Sequence, residues 1–272
     1  MTKIIVVIGM HRSGTSALTG TLVNAGAWFG HPALAAGGRP ARPLGLVERK
    51  DFLRLTEPAL QAVGCSWHDV HGFQPAWEKS YAERVREQFR AGVLADLRCH
   101  PVAVLKDPRL CLLLPLFRPV MKSAAALFIV RNPHEVAMSL HARNQFPIGL
   151  GAALWEAYNR HALAALQDVP SIMVQHRRLV SRPAQCIPQI VRKLASLGIE
   201  GLDADTAVAA NSIKSNLYHH HAEQALNKLS AGQREFWKAL RQAKVPSDVA
   251  AGDLSSETRE TLQAHHQERA AV

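Results

Sequence analysis

The chain has 272 residues, 47% of them hydrophobic, enough for a proper core in one large domain, or in one domain with a helical appendage. Lys and Arg outnumber Asp and Glu by 32 to 22, a net charge of +10; this invites an anionic ligand, an acidic acceptor, anionic lipid or nucleic acid, but the cations are interspersed with acids rather than run together, which disfavours nucleic acid. Cys65, Cys99, Cys111 and Cys186 contain no C-x-x-C pair, so zinc and redox motifs are unsupported, and no apolar run approaches the roughly 18 residues of a membrane span.

In chain order, "IIVVI" (4–8) is short, β-branched and stopped by Gly9, which predicts a buried strand. Ala17, Leu18, Leu22 and Val23 recur at helical spacing, and residues 29–45, dense in Gly, Pro and Ala, predict a mobile loop. Residues 48–64 place Phe52, Leu53, Leu60 and Val63 on one helical face, which Pro58 is expected to kink or restart. Residues 81–98 predict an amphipathic helix, "VAVL" (102–105) a second strand ending in "KDPR", and "AALFIV" (125–130) a third ending in "RNPHEVAMSL". A helix at about 150–168, a strand at 171–174 and a helix at about 183–197 follow. Beyond residue 203 the pattern is polar and helical, and 255–272 predict a helix fraying into an unstructured tail.

Strands alternating with helices predict a parallel sheet covered on both faces, with ligands beyond the carboxyl ends of its strands. "GMHRSGT", "KDPR" and "RNP" lie at those ends. Gly9 and Gly14 have the glycine spacing of a P-loop, but Thr15 stands at the lysine position, Ser16 at the hydroxyl position, and the cation has moved to Arg12. Backbone N–H groups with Ser13, Thr15 and Ser16 can cradle two linked anionic groups, and Arg12 can pair an outer oxygen. At the third strand Asn132, Pro133 and Glu135 predict a helix start, and Arg131 and Ser139 can meet on one further anion.

The combination "HRSGTS", "KDPR" and "RNPHEVAMS", over roughly residues 3–180, resembles the sulfotransferases that use 3′-phosphoadenosine 5′-phosphosulfate (PAPS), especially the bacterial, Golgi carbohydrate and tyrosylprotein branch. The resemblance implies an α/β, P-loop-type three-layer fold with a central parallel sheet and helices on both faces; chain length and the helical pattern beyond residue 203 add a helical C-terminal extension, in one domain over 1–272 (core 1–200, helical part 201–272). It implies PAPS as co-substrate, PAP as product, no metal, and sulfuryl transfer to a hydroxyl or amine. Arg12, Ser13, Gly14, Thr15 and Ser16 match the family's 5′-phosphosulfate loop, Arg131 and Ser139 its 3′-phosphate pair, Lys106 its lysine beside the transferred group and Glu48, in "GLVE", its general base. Arg49 and Lys50 are expected to keep Glu48 ionised. Glu48 can alternatively cap the helix it begins, His68 and His71 are other candidate bases, and Asp107 and Arg109 read as structural.

His176 stands where relatives have a tyrosine, which puts that contact in question. Trp155 or Tyr158 can stack on adenine or serve as core. The expected partner is a hydroxyl-bearing acceptor, a carbohydrate, glycolipid or peptide, walled by 29–45, 144–151 and "NSIKSNLYHHH"; no nucleic acid and no transmembrane segment are expected, and the expected compartment is cytoplasmic. The competing readings are a small-molecule kinase, against which the missing Walker lysine argues, and a non-catalytic nucleotide- or nucleic-acid-binding protein.

Overall fold

The computed structural model describes residues 2–34, 48–121, 124–209 and 228–271. Strand β1 (Lys3–Ile8) leads into α1 (Thr15–Asn24); α2 (Lys50–Gln61), α3 (Lys79–Phe89) and α4 (Ala95–Leu97) precede β2 (Val102–Lys106) and α5 (Leu110–Phe117). Then come β3 (Ala124–Val130), α6 (Pro133–Asn144), α7 (Ile148–Ala165), β4 (Ser171–Gln175), α8 (His176–Ser181), α9 (Pro183–Ser196) and α10 (Ala204–Ala209), with α11 (Ala231–Gln242) and α12 (Ser256–Ala270) last. The predicted alternation of strands and helices is thus present. Most of the predicted loop at 29–45 and the stretch "NSIKSNLYHHH", including His219, His220 and His221, lie outside the described residues.

All pairings in the sheet are parallel, in the order β2-β1-β3-β4. The chain leaves β1 toward β2 and leaves β3 toward β4, so the connections diverge at the carboxyl ends of β1 and β3, the place where open sheets bind ligands. Period-two alternation distributes β1 between two cores. Ile4, Val6 and Ile8 face Phe52, Phe89, Phe117, Leu154 and Trp155, while Ile5 and Val7 face Leu18, Leu22, Ile187 and Leu194. Helices therefore cover both faces. At the β2 edge Trp28 takes a ladder bond from Val104 N to its own carbonyl at 2.8 Å and gives one to Val102 O at 3.0 Å.

Pro58 does not break α2, which runs from Lys50 to Gln61 and closes with Ala62 N donating to Pro58 O at 2.9 Å. Proline removes only its own donor, and a helix packed through fully buried Phe52 and Thr56 absorbs that loss. The helix predicted at 81–98 contains a π turn at Arg90–Leu94.

The expected frayed tail is also corrected. α12 runs to Ala270, burying Thr258 and Leu262 against α7. Its anchor is Glu156, a fully buried carboxylate on α7. Glu156 accepts from Ser255 N (2.9 Å), Ser255 Oγ (2.8 Å), Thr258 Oγ1 (2.6 Å) and Arg160 Nε (2.8 Å). Burial alone would raise the Glu156 pKa, but these donors hold it below the ordinary carboxylate value of 4.5. The stabilisation is therefore full above that value and is lost as pH falls through the lower folded-state value. Glu156→Ala should lower stability by about 3 to 5 kcal/mol, since Arg160 loses its partner and the start of α12 its acceptor. Thermal unfolding with limited proteolysis checks this: an unchanged melting temperature and an uncut C-terminus would refute the anchor.

Candidate active site

The turn after β1 is shaped by close approach. A Cβ on Gly9 would lie 2.5 Å from the Ile129 carbonyl oxygen, and one on Gly14 would strike the His176 ring. Gly14 has φ 91° and is the N-cap of α1, with no side-chain cap. The first-turn N–H groups of α1 have no intrahelical acceptors and carry the positive end of the helix dipole. Ser13 is fully buried, and its Oγ has no hydrogen-bond partner among the described residues. An unsatisfied buried hydroxyl beside open helix amides fits an anionic group. His176 keeps a contact at this position, through packing on Gly14. Burial and, secondarily, Arg131 push its pKa down to about 3, so a neutral ring lies against the loop.

At the end of β3, Asn132 Oδ1 accepts from His134 N at 2.9 Å and Glu135 N at 3.3 Å, and Pro133 takes the first helical position. This is the predicted cap. Glu135 also accepts from Arg131 Nε at 2.9 Å. The predicted Arg131–Ser139 pair is joined through a third residue: Arg12 Nε donates to Ser139 Oγ at 2.8 Å, and Arg131 Nη1 donates to the Arg12 carbonyl at 2.9 Å. One network thus ties the two candidate anion sites together across β1 and β3. Burial and the nearby charges of Arg143 and Arg131 lower the pKa of Arg12.

At the end of β2, Lys106 is almost wholly buried and donates from Nζ to Glu48 Oε1 at 2.7 Å. Burial raises the Glu48 carboxyl pKa, but Lys106, with a contribution from Arg109, outweighs it and leaves the group below its ordinary value. Arg49 and Lys50 do not act on Glu48 as expected. Arg49 is fully buried in salt bridges to Asp51 (2.7 Å) and Asp96 (2.6 Å), and Lys50 Nζ reaches the Ala33 carbonyl at 3.2 Å.

Asp107 and Arg109 are bonded to each other. Asp107 accepts from Thr56 Oγ1 (3.1 Å), Arg109 N (2.8 Å) and Arg109 Nη1 (3.1 Å), while Arg109 also reaches Glu57 at 3.0 Å. Burial raises the Asp107 pKa despite these partners.

A family model described as "Sulfotransferase family" matches residues 5–203, well over half of the chain. The chain belongs to the sulfotransferase family. No curated protein matches the enzyme's sequence. Solved structures similar to this sulfotransferase include the sulfotransferase domain of the Synechococcus PCC 7002 olefin synthase, 17% identical with TM-score 0.46, covering 98% of this chain and 96% of that one. The sulfotransferase domain from the curacin biosynthetic pathway is 14% identical, TM-score 0.46, with 98% of each chain covered. A sulfotransferase from Mycobacterium avium is 16% identical, TM-score 0.46, covering 98% of this chain and 76% of that one. The family as a whole draws its sulfuryl group from PAPS.

In this sulfotransferase Trp155 and Tyr158 are fully buried core rings: Trp155 Nε1 donates to the Arg131 carbonyl at 3.0 Å and Tyr158 OH to the Trp67 carbonyl at 2.6 Å. Adenine stacking is therefore not their role. His68 and His71 face α12, His68 Nδ1 lying 3.4 Å from His265 Nε2 and His71 stacking on His266 with centroids 5.3 Å apart. Arg143 and His11 join the site from outside the predicted set. Arg143 lies one turn beyond Ser139 on α6, a spacing that could have revealed it. His11 is next to Arg12 in the quoted loop; burial, with Arg109 and Lys106 nearby, keeps its imidazole neutral. No helix among the described residues is long and apolar enough to cross a membrane.

Proposed function

We propose that this sulfotransferase, working as one domain over its whole length, moves the sulfuryl group of PAPS to an acceptor hydroxyl or amine. The observation that carries the reading is the network of Arg12, Ser139 and Arg131, which joins the glycine loop before α1 to α6, the two places read as candidate anion sites. The loop amides, Ser13, Gly14, Thr15 and Ser16 would hold the 5′-phosphosulfate, and Arg131 with Ser139 the 3′-phosphate. Arg12, the third proposed catalytic residue with Glu48 and Lys106, would neutralise charge on the bridging and equatorial oxygens as the bond breaks.

Sulfuryl transfer, like phosphoryl transfer, depends on position and charge neutralisation more than on covalent protein chemistry. The new bond joins the acceptor oxygen to sulfur, the bond from sulfur to the bridging oxygen breaks, and PAP leaves with that electron pair. Lys106 would turn from Glu48 to the bridging oxygen as charge develops there. Glu48, released but still buried, would become more basic and take the acceptor proton. The acceptor is proposed to be a carbohydrate, glycolipid or peptide, and the compartment cytoplasmic.

Isothermal titration without magnesium tests the donor half: PAP should bind near micromolar affinity, 5′-AMP should bind weakly, and Arg131→Ala should reduce PAP affinity about 10- to 100-fold through loss of a charge-assisted bidentate contact. Indifference to the 3′-phosphate, or tighter binding of ATP with magnesium, would favour the kinase reading instead.

A further inference from the structure

A continuous run of rings starts on the glycine loop and leads away from the proposed donor site. His11 lies 4.8 Å from Trp67, Trp67 lies 5.0 Å from His68 and 5.7 Å from Phe146, and His265 lies 5.7 Å from His68 and 6.2 Å from Phe146. Four separate segments supply it: the glycine loop after β1, the loop after α2, the link between α6 and α7, and α12. Trp67, His68, Phe146 and His265 are each half-buried. The ledge is held in place from below, since the Trp67 carbonyl accepts from the fully buried Tyr158 hydroxyl and the Phe146 carbonyl lies 2.8 Å from His141 Nδ1. It begins at the chemistry: His11 lies within electrostatic reach of Lys106 and Arg109 at the end of β2.

We propose that this ledge is the acceptor subsite and that its acceptor is a saccharide, whose ring stacks on Trp67 and Phe146 while its hydroxyls bond His68 Nε2 and His265 Nδ1, the ring nitrogens that the His68–His265 contact does not use. The assignment rests on the sulfotransferase reading of the neighbouring donor site. A sugar ring has apolar C–H faces and polar edges, and the ledge alternates aromatic faces with ring nitrogens in the same way. Arg269, donating to Ser66 Oγ at 3.2 Å, adds a polar rim. A small phenol is best held in an enclosed apolar pocket, whereas these four residues are only half-buried. An extended peptide is best held by a strand edge, and none of the four rings lies on a strand.

The test is saturation-transfer NMR on the full chain saturated with PAP, using cello-, chito- and galacto-oligosaccharides as probes and 4-nitrophenol and a tyrosine-containing peptide as controls. Ring protons of at least one oligosaccharide should receive saturation, and Trp67→Ala and His265→Ala should each cut that signal by about fivefold or more, as expected for anchor residues. PAP affinity, measured by calorimetry on each protein, should stay within about twofold, since neither residue is assigned to the donor. His265 lies on a surface helix, so its variant keeps the test alive if Trp67→Ala fails to fold. The proposal is overturned if PAP binds normally and no oligosaccharide receives saturation, or if only the phenol or the peptide does so. Loss of PAP binding in the unaltered protein would instead sink the donor-site reading.

Discussion

Glu48→Gln is expected to lower kcat by roughly 100- to 10,000-fold, the range for a lost general base, with PAP affinity nearly unchanged. Glutamine keeps the shape and an acceptor oxygen for Lys106 but cannot take a proton. The pH profile sharpens the test. In the free enzyme Lys106 holds the Glu48 carboxyl below its ordinary value, so the acid limb of kcat/KM should fall only as pH drops through that depressed value. If Lys106 turns to the leaving oxygen in the donor complex, burial is no longer offset and the acid limb of kcat should lie at higher pH than that of kcat/KM. Wild-type turnover in Glu48→Gln, or loss of the acid limb in a histidine variant such as His68→Gln, would move the base elsewhere.

Lys106→Met should produce the second large effect, a fall in kcat of about 100- to 1,000-fold, comparable to removing one donor from a site of developing negative charge. It should also cost stability, up to about 3 to 5 kcal/mol, because Glu48 keeps its burial and loses its cation. That cost should be smaller at low pH, where the now unpaired carboxyl is protonated and its burial is no longer penalised. Lys106→Arg should not restore full rate, since a planar guanidinium cannot occupy the place of a compact ammonium in a packed site. Steady-state rates beside urea unfolding at two pH values separate the effects; a fully active Lys106→Met would remove the residue from the reaction.

The strand-and-helix frame was legible because its signals are local. Five β-branched residues before Gly9, and the Asn132–Pro133 helix start, carry their structure in a few adjacent side chains. The corrections come from tertiary contacts. α12 reads as a fraying helix until Glu156, about 100 residues earlier, supplies its acceptor. Arg49 reads as a neighbour of Glu48 by sequence but is drawn into ion pairs with Asp51 and Asp96. Within the site, sequence located Glu48 and Lys106 separately, and their 2.7 Å contact joins residues 58 positions apart, which no local pattern announces. His11 was hidden for another reason: a histidine beside two familiar motif residues gives no sequence signal of being neutral and ring-stacked.

Arg12 adopts φ 69°, a left-handed backbone that costs a non-glycine residue about 1 to 2 kcal/mol. Its carbonyl is held by Arg131, the same guanidinium proposed to meet the 3′-phosphate. A ligand that draws Arg131 Nη1 away would compete with the loop for its support, and the two ends of the donor would then be thermodynamically linked. A fragment carrying only the 5′ group would meet a loop shaped by Arg131, whereas the whole donor meets one free to adjust. The free energies of the two donor halves should consequently not add, and the shortfall or excess measures the stiffness of a single turn of backbone.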